Sequence, residues 1–152
     1  MPPGGALHGD VISRLLVAVG SFVYEHKLGR VYDGQTGFRL GLENCFEPDI
    51  AFVSKARLKL ILPAAEKLFH GAPDLAVEVL SPSDSITKTE KKLILCLAHG
   101  TRLAWMIDPK HQTARVYRPG GEAEILSRGR SLSGNSVLPG FRCALSRLFE
   151  EI

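Results

Sequence analysis

Cysteine is scarce in this sequence and does not occur in pairs. The 152 residues hold three, Cys45, Cys96 and Cys143, far apart in apolar surroundings and with no Cys-x-x-Cys spacing. That excludes a zinc site of the usual spacing and a disulfide framework; an odd number of small apolar thiols predicts a reducing, cytoplasmic setting. Histidine gives no metal spacing either: His8, His26, His70, His99 and His111 are scattered. Basic tracts are missing too. Lys and Arg number 19 against 16 Asp and Glu, a net charge of +3, which excludes the dense polycation of a strong nucleic-acid binder but is compatible with a polyanionic partner. No apolar run approaches the ~20 residues of a bilayer span. The start, Met1-Pro2-Pro3-Gly4-Gly5, lacks the charged-then-apolar pattern of a targeting segment. Repeats and low-complexity stretches are absent.

What is present is an ordinary globular composition, 45% hydrophobic and 23% charged. The length fits one domain, expected over 8–152 after a flexible start at 1–7. Ile12, Leu15, Leu16, Val19, Phe22 and Val23 recur at helical spacing, which predicts a helix from an Asp10 cap to a Gly29 stop. Asp33-Gly34, between Arg30-Tyr32 and Thr36-Leu40, predicts a hairpin. Asp49–Val53 reads as a strand introduced by Pro48, and Lys55–Phe69 as a basic, partly helical connection. Asp74–Leu80 reads as a central strand buried on both faces. A helix follows over Ile86–His99, then strands at Leu103–Ile107, Thr113–Arg118 and Ala123–Leu126, and a last helical stretch at Ala144–Glu151. The order predicts an α/β domain with a mixed β-sheet flanked by helices.

Glu78 stands out because Leu75, Ala76, Val77, Val79 and Leu80 around it all read as core. An ionised carboxylate there costs several kcal/mol unless a partner or a metal offsets it. The plain alternative is a strand end that reaches solvent or a buried arginine. Asp49 opens another apolar strand. If the two strands are neighbours, the carboxylates converge, repel and favour a divalent cation between them; hard oxygen ligands without Cys or His point to Mg²⁺ or Mn²⁺. Asp49 otherwise reads as a turn residue. Lys88, Lys91 and Lys92 open the following helix. A lysine aimed at the carboxylate pair could orient a water or balance developing charge; otherwise these three form a solvated basic face.

Pro48-Asp49, Glu78-Val79-Leu80-Ser81-Pro82, Lys92 and Leu103–Pro109, in this order and spacing, resemble the Uma family of restriction endonucleases in the PD-(D/E)XK nuclease superfamily. Ala72–Ser83, His8-Gly9 and Thr36–Leu40 are similar too, and the likeness runs from about His8 to Phe141. The resemblance implies a restriction-endonuclease-like fold and Mg²⁺-dependent (or Mn²⁺-dependent) hydrolysis of nucleic acid, DNA above RNA. Asp49, Glu78 and the main-chain carbonyl of Val79 would hold the metal, and Asp49, Glu78 and Lys92 would be catalytic. The superfamily's lysine stands two residues after the acid; that position is Leu80 here, and Lys92 is the match in the resembled family. Lys88, Lys91, Arg102 and Gln35 are candidate nucleic-acid contacts. Family members usually carry a further N-terminal stretch with a strand pair and an acidic residue, so an uncovered sheet edge and a homodimer are expected. They also commonly carry an aromatic residue where Cys96 stands. A binding module that kept the fold and lost the chemistry is the alternative function. A Cys96–His99 hydrolase lacks any oxyanion hole in the sequence. Trp105 and Phe38 read as core, and Asp74 as a strand-edge residue too far along the strand from Glu78 to share its metal.

Overall fold

The computed structural model describes residues 4–151. Helix α1 (Ala6–Glu25) leads into strand β1 (Gly29–Asp33). A small excursion of β2 (Phe38–Leu40) and β3 (Asn44–Phe46) follows, then β4 (Ile50–Ser54), α2 (Lys55–Ile61) and β5 (Phe69–His70). Strand β6 (Leu75–Val79), helix α3 (Ile86–Ala98) and strand β7 (Leu103–Asp108) form a parallel crossover unit. The chain ends in β8 (Thr113–Tyr117), β9 (Glu124–Leu126), β10 (Ser131–Ser133), β11 (Arg142–Ala144) and α4 (Leu145–Leu148).

The main sheet has six strands in the order β1-β4-β6-β7-β8-β9, and only β6 and β7 run parallel. Mixed pairing of this kind follows from placing a helix between two strands and hairpins elsewhere. Because side chains alternate along a strand, the central strands contribute to two cores. Ile50, Phe52, Leu75, Val77, Leu103, Trp105 and Ile107 face α1, whose Val11, Leu15, Val19 and Val23 are fully buried against them. Ala51, Ala76, Ala104 and Met106 face the other way, under Leu93 and Cys96 of α3. The alanines on that face let α3 lie close to the sheet.

Several local expectations change. Helix α1 starts at Ala6 behind Gly5, so Asp10 lies within it, where it pairs with Arg14. Of the start expected to be flexible, Ala6 and Leu7 are helical and residues 1–3 lie outside the described ones. At 20 residues, α1 is also long and apolar enough to cross a bilayer, contrary to the expectation from runs. Its inner stripe is instead the centre of one core. The Asp33-Gly34 turn does not close a hairpin: β1 pairs with β4, Val31 opposite Phe52. Strand β2 joins β3 and β5 in a separate three-stranded sheet, where Phe38 stacks on Phe69 at 4.8 Å. The helical part of the Lys55–Phe69 connection is its first half, Lys55–Ile61.

Candidate active site

The register of β4 and β6 sets Ile50 opposite Val77, which places Asp49 opposite Glu78 one residue further on. Parity decides the face. Glu78 shares the side of Ala76, Asp49 the side of Ala51, and both therefore lie under α3. Two acids that are 29 residues apart thus become neighbours because two strands pair.

They are locked reciprocally. The Asp49 N–H donates to Glu78 Oε1 (3.2 Å), and the Val79 N–H donates to Asp49 Oδ2 (2.7 Å). Pro48, which has no N–H, stands opposite Val79 when the same register is extended, so the ladder ends there and the Asp49 side chain takes over. Each carboxylate keeps one oxygen, Oδ1 and Oε2, that accepts no hydrogen bond from a described residue.

Burial pushes Glu78 up to about 8, and the charge of Asp49 adds to the shift, while the Asp49 N–H and Lys92 oppose it. Burial raises Asp49 as well, against the Val79 N–H and the nearby His8 and Lys92. For both acids, burial outweighs the nearby positive charge. A hard divalent ion fits this donor set: two adjacent carboxylates with one free oxygen each. No third His, Cys, Asp or Glu among the described residues closes a cage around them. An open, carboxylate-poor site is how Mg²⁺ is usually held, with water and substrate phosphate filling the remaining positions.

Lys92 lines the same cleft of about 660 Å³ and makes no ion pair within 4 Å among the described residues, which leaves its ammonium available. Lys88 and Lys91 are exposed and do not line the cleft. Gln35 sits just outside it; its N–H is held by Asp33 in the turn whose Gly34 borders the site. Arg102 is elsewhere. It grips Asp74 Oδ1 (3.0 Å) at the opposite end of β6, and Asp74 Oδ2 accepts from the Ser54 N–H (2.7 Å). Asp74 stands just before β6, away from Glu78 as expected, and is a buried staple, only 1% exposed. Cys96 is buried beneath Glu78, and burial and that carboxylate raise its thiol to about 12. His99 is exposed and bonds the Leu95 carbonyl. The pair cannot act as nucleophile and base. Trp105 and Phe38 are core residues, as expected.

Sequence reasoning passed over three cleft residues. His8, in the first turn of α1, brings Nε2 to 3.8 Å from Asp49 Oδ2. Asp84 folds back to accept from the Ser81 N–H (2.8 Å) and its charge reaches both acids. Glu47 lines the rim. None carries a periodic signal; His8-Gly9 and Ser81-Pro82 were visible only as parts of the resemblance.

A family model described as "Putative restriction endonuclease", Uma2, matches residues 1–146. A crystal structure from Anabaena variabilis, described as "a putative nuclease belonging to DUF820", superposes with a TM-score of 0.86 at 29% identity, covering 97% of this chain and 83% of that one. No curated protein sequence matches the chain significantly.

Proposed function

The chain belongs to the Uma2 family of restriction-endonuclease-like proteins, and on that premise we propose that it is a metal-dependent endonuclease that hydrolyses phosphodiester bonds in DNA. The observation that supports this most is the interlocked pair Asp49 and Glu78 with the unpaired ammonium of Lys92 in one cleft. Asp49 Oδ1, Glu78 Oε2 and the Val79 carbonyl would hold Mg²⁺ or Mn²⁺. Bound there, the ion supplies Lewis acidity toward the phosphate and a more acidic water.

The protein's own groups do the rest. The two backbone N–H donors fix both carboxylates, so neither has to reorganise when substrate arrives. Lys92 places a positive charge where the phosphate gains negative charge, and its N–H groups can orient the attacking water. Lys88 and Lys91, on the exposed face of the same helix, suit contacts to the phosphate backbone that are indifferent to sequence. Gln35 is a polar contact at the turn. Arg102 is committed to Asp74 and takes no part. The outer face of α1, where Val17 and Tyr24 are exposed between the Asp10–Arg14 pair and Glu25, suits a homodimer contact, and three free thiols suit a cytoplasmic enzyme.

The test is Glu78→Ala against wild type, on plasmid and short DNA with Mg²⁺ or Mn²⁺. The variant is expected to lose at least about 100-fold in rate while keeping its circular dichroism. Cleavage that survives the change rejects the site. A folded wild type that binds neither ion and cuts nothing favours a module that has the fold without the chemistry.

A further inference from the structure

A second cavity adjoins the cleft. It measures about 510 Å³ and shares His8, Ser81 and Asp84 with the first, so the two lie on either side of these residues. Its walls come from the first turn of α1, the loop after β6 and the turn between β7 and β8. Leu7, Leu80, Pro82, Ile86 and Pro109 give it an apolar lining. Two of these are large side chains left open to solvent: Leu7 is 54% exposed and Ile86 38%. The rim is polar and carries charge of both signs, Asp84 and Asp108 against Lys110. Asp108 Oδ2 holds His111 Nδ1 at 2.7 Å, which directs the other ring edge outward, and Lys110 beside it is exposed. The acids at the rim are engaged, Asp84 with Ser81 and Asp108 with His111.

We propose that this second cavity is a nucleobase subsite that takes one unstacked base of the substrate strand, next to the phosphate held at Asp49 and Glu78. The inference rests on the nuclease reading above and adds the form of the substrate. A concave apolar site of this size lies within the range of small-molecule pockets and has room for a base. Proline rings, aliphatic side chains and an imidazole offer flat, sequence-tolerant contact, while Lys110 meets the phosphate that flanks the base. A base reaches such a cavity only after leaving its stack. In an intact duplex that costs a few kcal/mol, and in a single strand or a frayed end much less. Single-stranded or frayed DNA is therefore the preferred substrate.

The experiment compares a short single-stranded DNA with its duplex, using fluorescence anisotropy in Ca²⁺ for binding and Mn²⁺ for cleavage. A third strand carries one abasic position next to the cleaved bond, mapped first on the intact strand. Wild type should bind the single strand about tenfold or more tightly than the duplex, as contacts to one base can provide. The abasic strand should lose that margin, as should Leu7→Gln and Ile86→Gln on the intact strand. Equal affinity for single strand and duplex overturns the subsite, and so does an abasic strand that binds as well as the intact one. So do the two substitutions, if they alter self-association but not DNA binding. In each of these cases cleavage persists and the nuclease reading stands. If no DNA binds or is cut, that reading falls and the subsite with it.

Discussion

Glu78 combines a carboxyl that resists ionisation with a place where ionisation is useful. Its folded value near 8 stands well above the ordinary 4.5, so the folded chain binds this proton more tightly than the unfolded chain does. The stability it contributes is complete below about pH 4.5 and is lost as pH rises through 8. Asp49 shifts in the same direction. The metal-free protein should melt at progressively lower temperature from pH 5 to pH 9. Glu78→Gln should flatten that slope and Mn²⁺ should suppress it, because a cation replaces the proton; scanning calorimetry checks all three. Lys92 invites the complementary test. Lys92→Met should lower kcat by about 100-fold or more, with Mn²⁺ affinity in calorimetric titration unchanged or slightly improved, since a repelling charge is gone. Loss of metal binding together with loss of rate would instead make Lys92 a structural residue.

Among the elements, β6 ties the two ends of the domain together. One end carries Glu78; the other is anchored by Asp74 between Arg102 and the Ser54 N–H. Arg102→Ala leaves a nearly buried carboxylate without its two guanidinium donors and should cost about 1–3 kcal/mol, read by urea unfolding. Because Arg102 lies at the end away from the cleft, DNA affinity and its salt dependence should not change, whereas Lys88→Ala should shallow the salt slope. Ser85, whose hydroxyl accepts from the Lys88 N–H, caps α3, and Ser85→Ala should cost about 1 kcal/mol. The sequence made β4, β6 and β7 legible as apolar runs between turn signals and α3 by its helical spacing; that Asp49 and Glu78 meet was conditional on β4 and β6 being neighbours, which their register shows. It misled where pairing is non-local. Asp33-Gly34 has hairpin chemistry, yet β1 pairs over its whole length with β4, 17 or more residues further on. His8, Asp84 and Glu47 were not assigned to the site because loop and helix-end residues have no periodicity to betray them.

At the scale of the molecule, α1 is an apolar helix with only one inner stripe sunk in the core. A surface helix normally turns charged residues outward; here, apart from Asp10, its partner Arg14 and the terminal Glu25, it is Ser13, Val17, Ser21 and Tyr24 that face out. Sedimentation should give about twice the 16.6 kDa of one chain, and Val17→Glu should return it to a monomer with DNA cleavage altered less than self-association.

The hydrogen-bond exchange between Asp49 and the end of β6 has a consequence for how the domain matures. Both bonds exist only in one alignment of β4 on β6, and a slip by a single residue would turn one acid to the α1 side. A misaligned molecule can be compact and helical and still be silent as an enzyme. Recovered activity during refolding should therefore lag recovered ellipticity, and it would count the molecules that have threaded these two strands correctly.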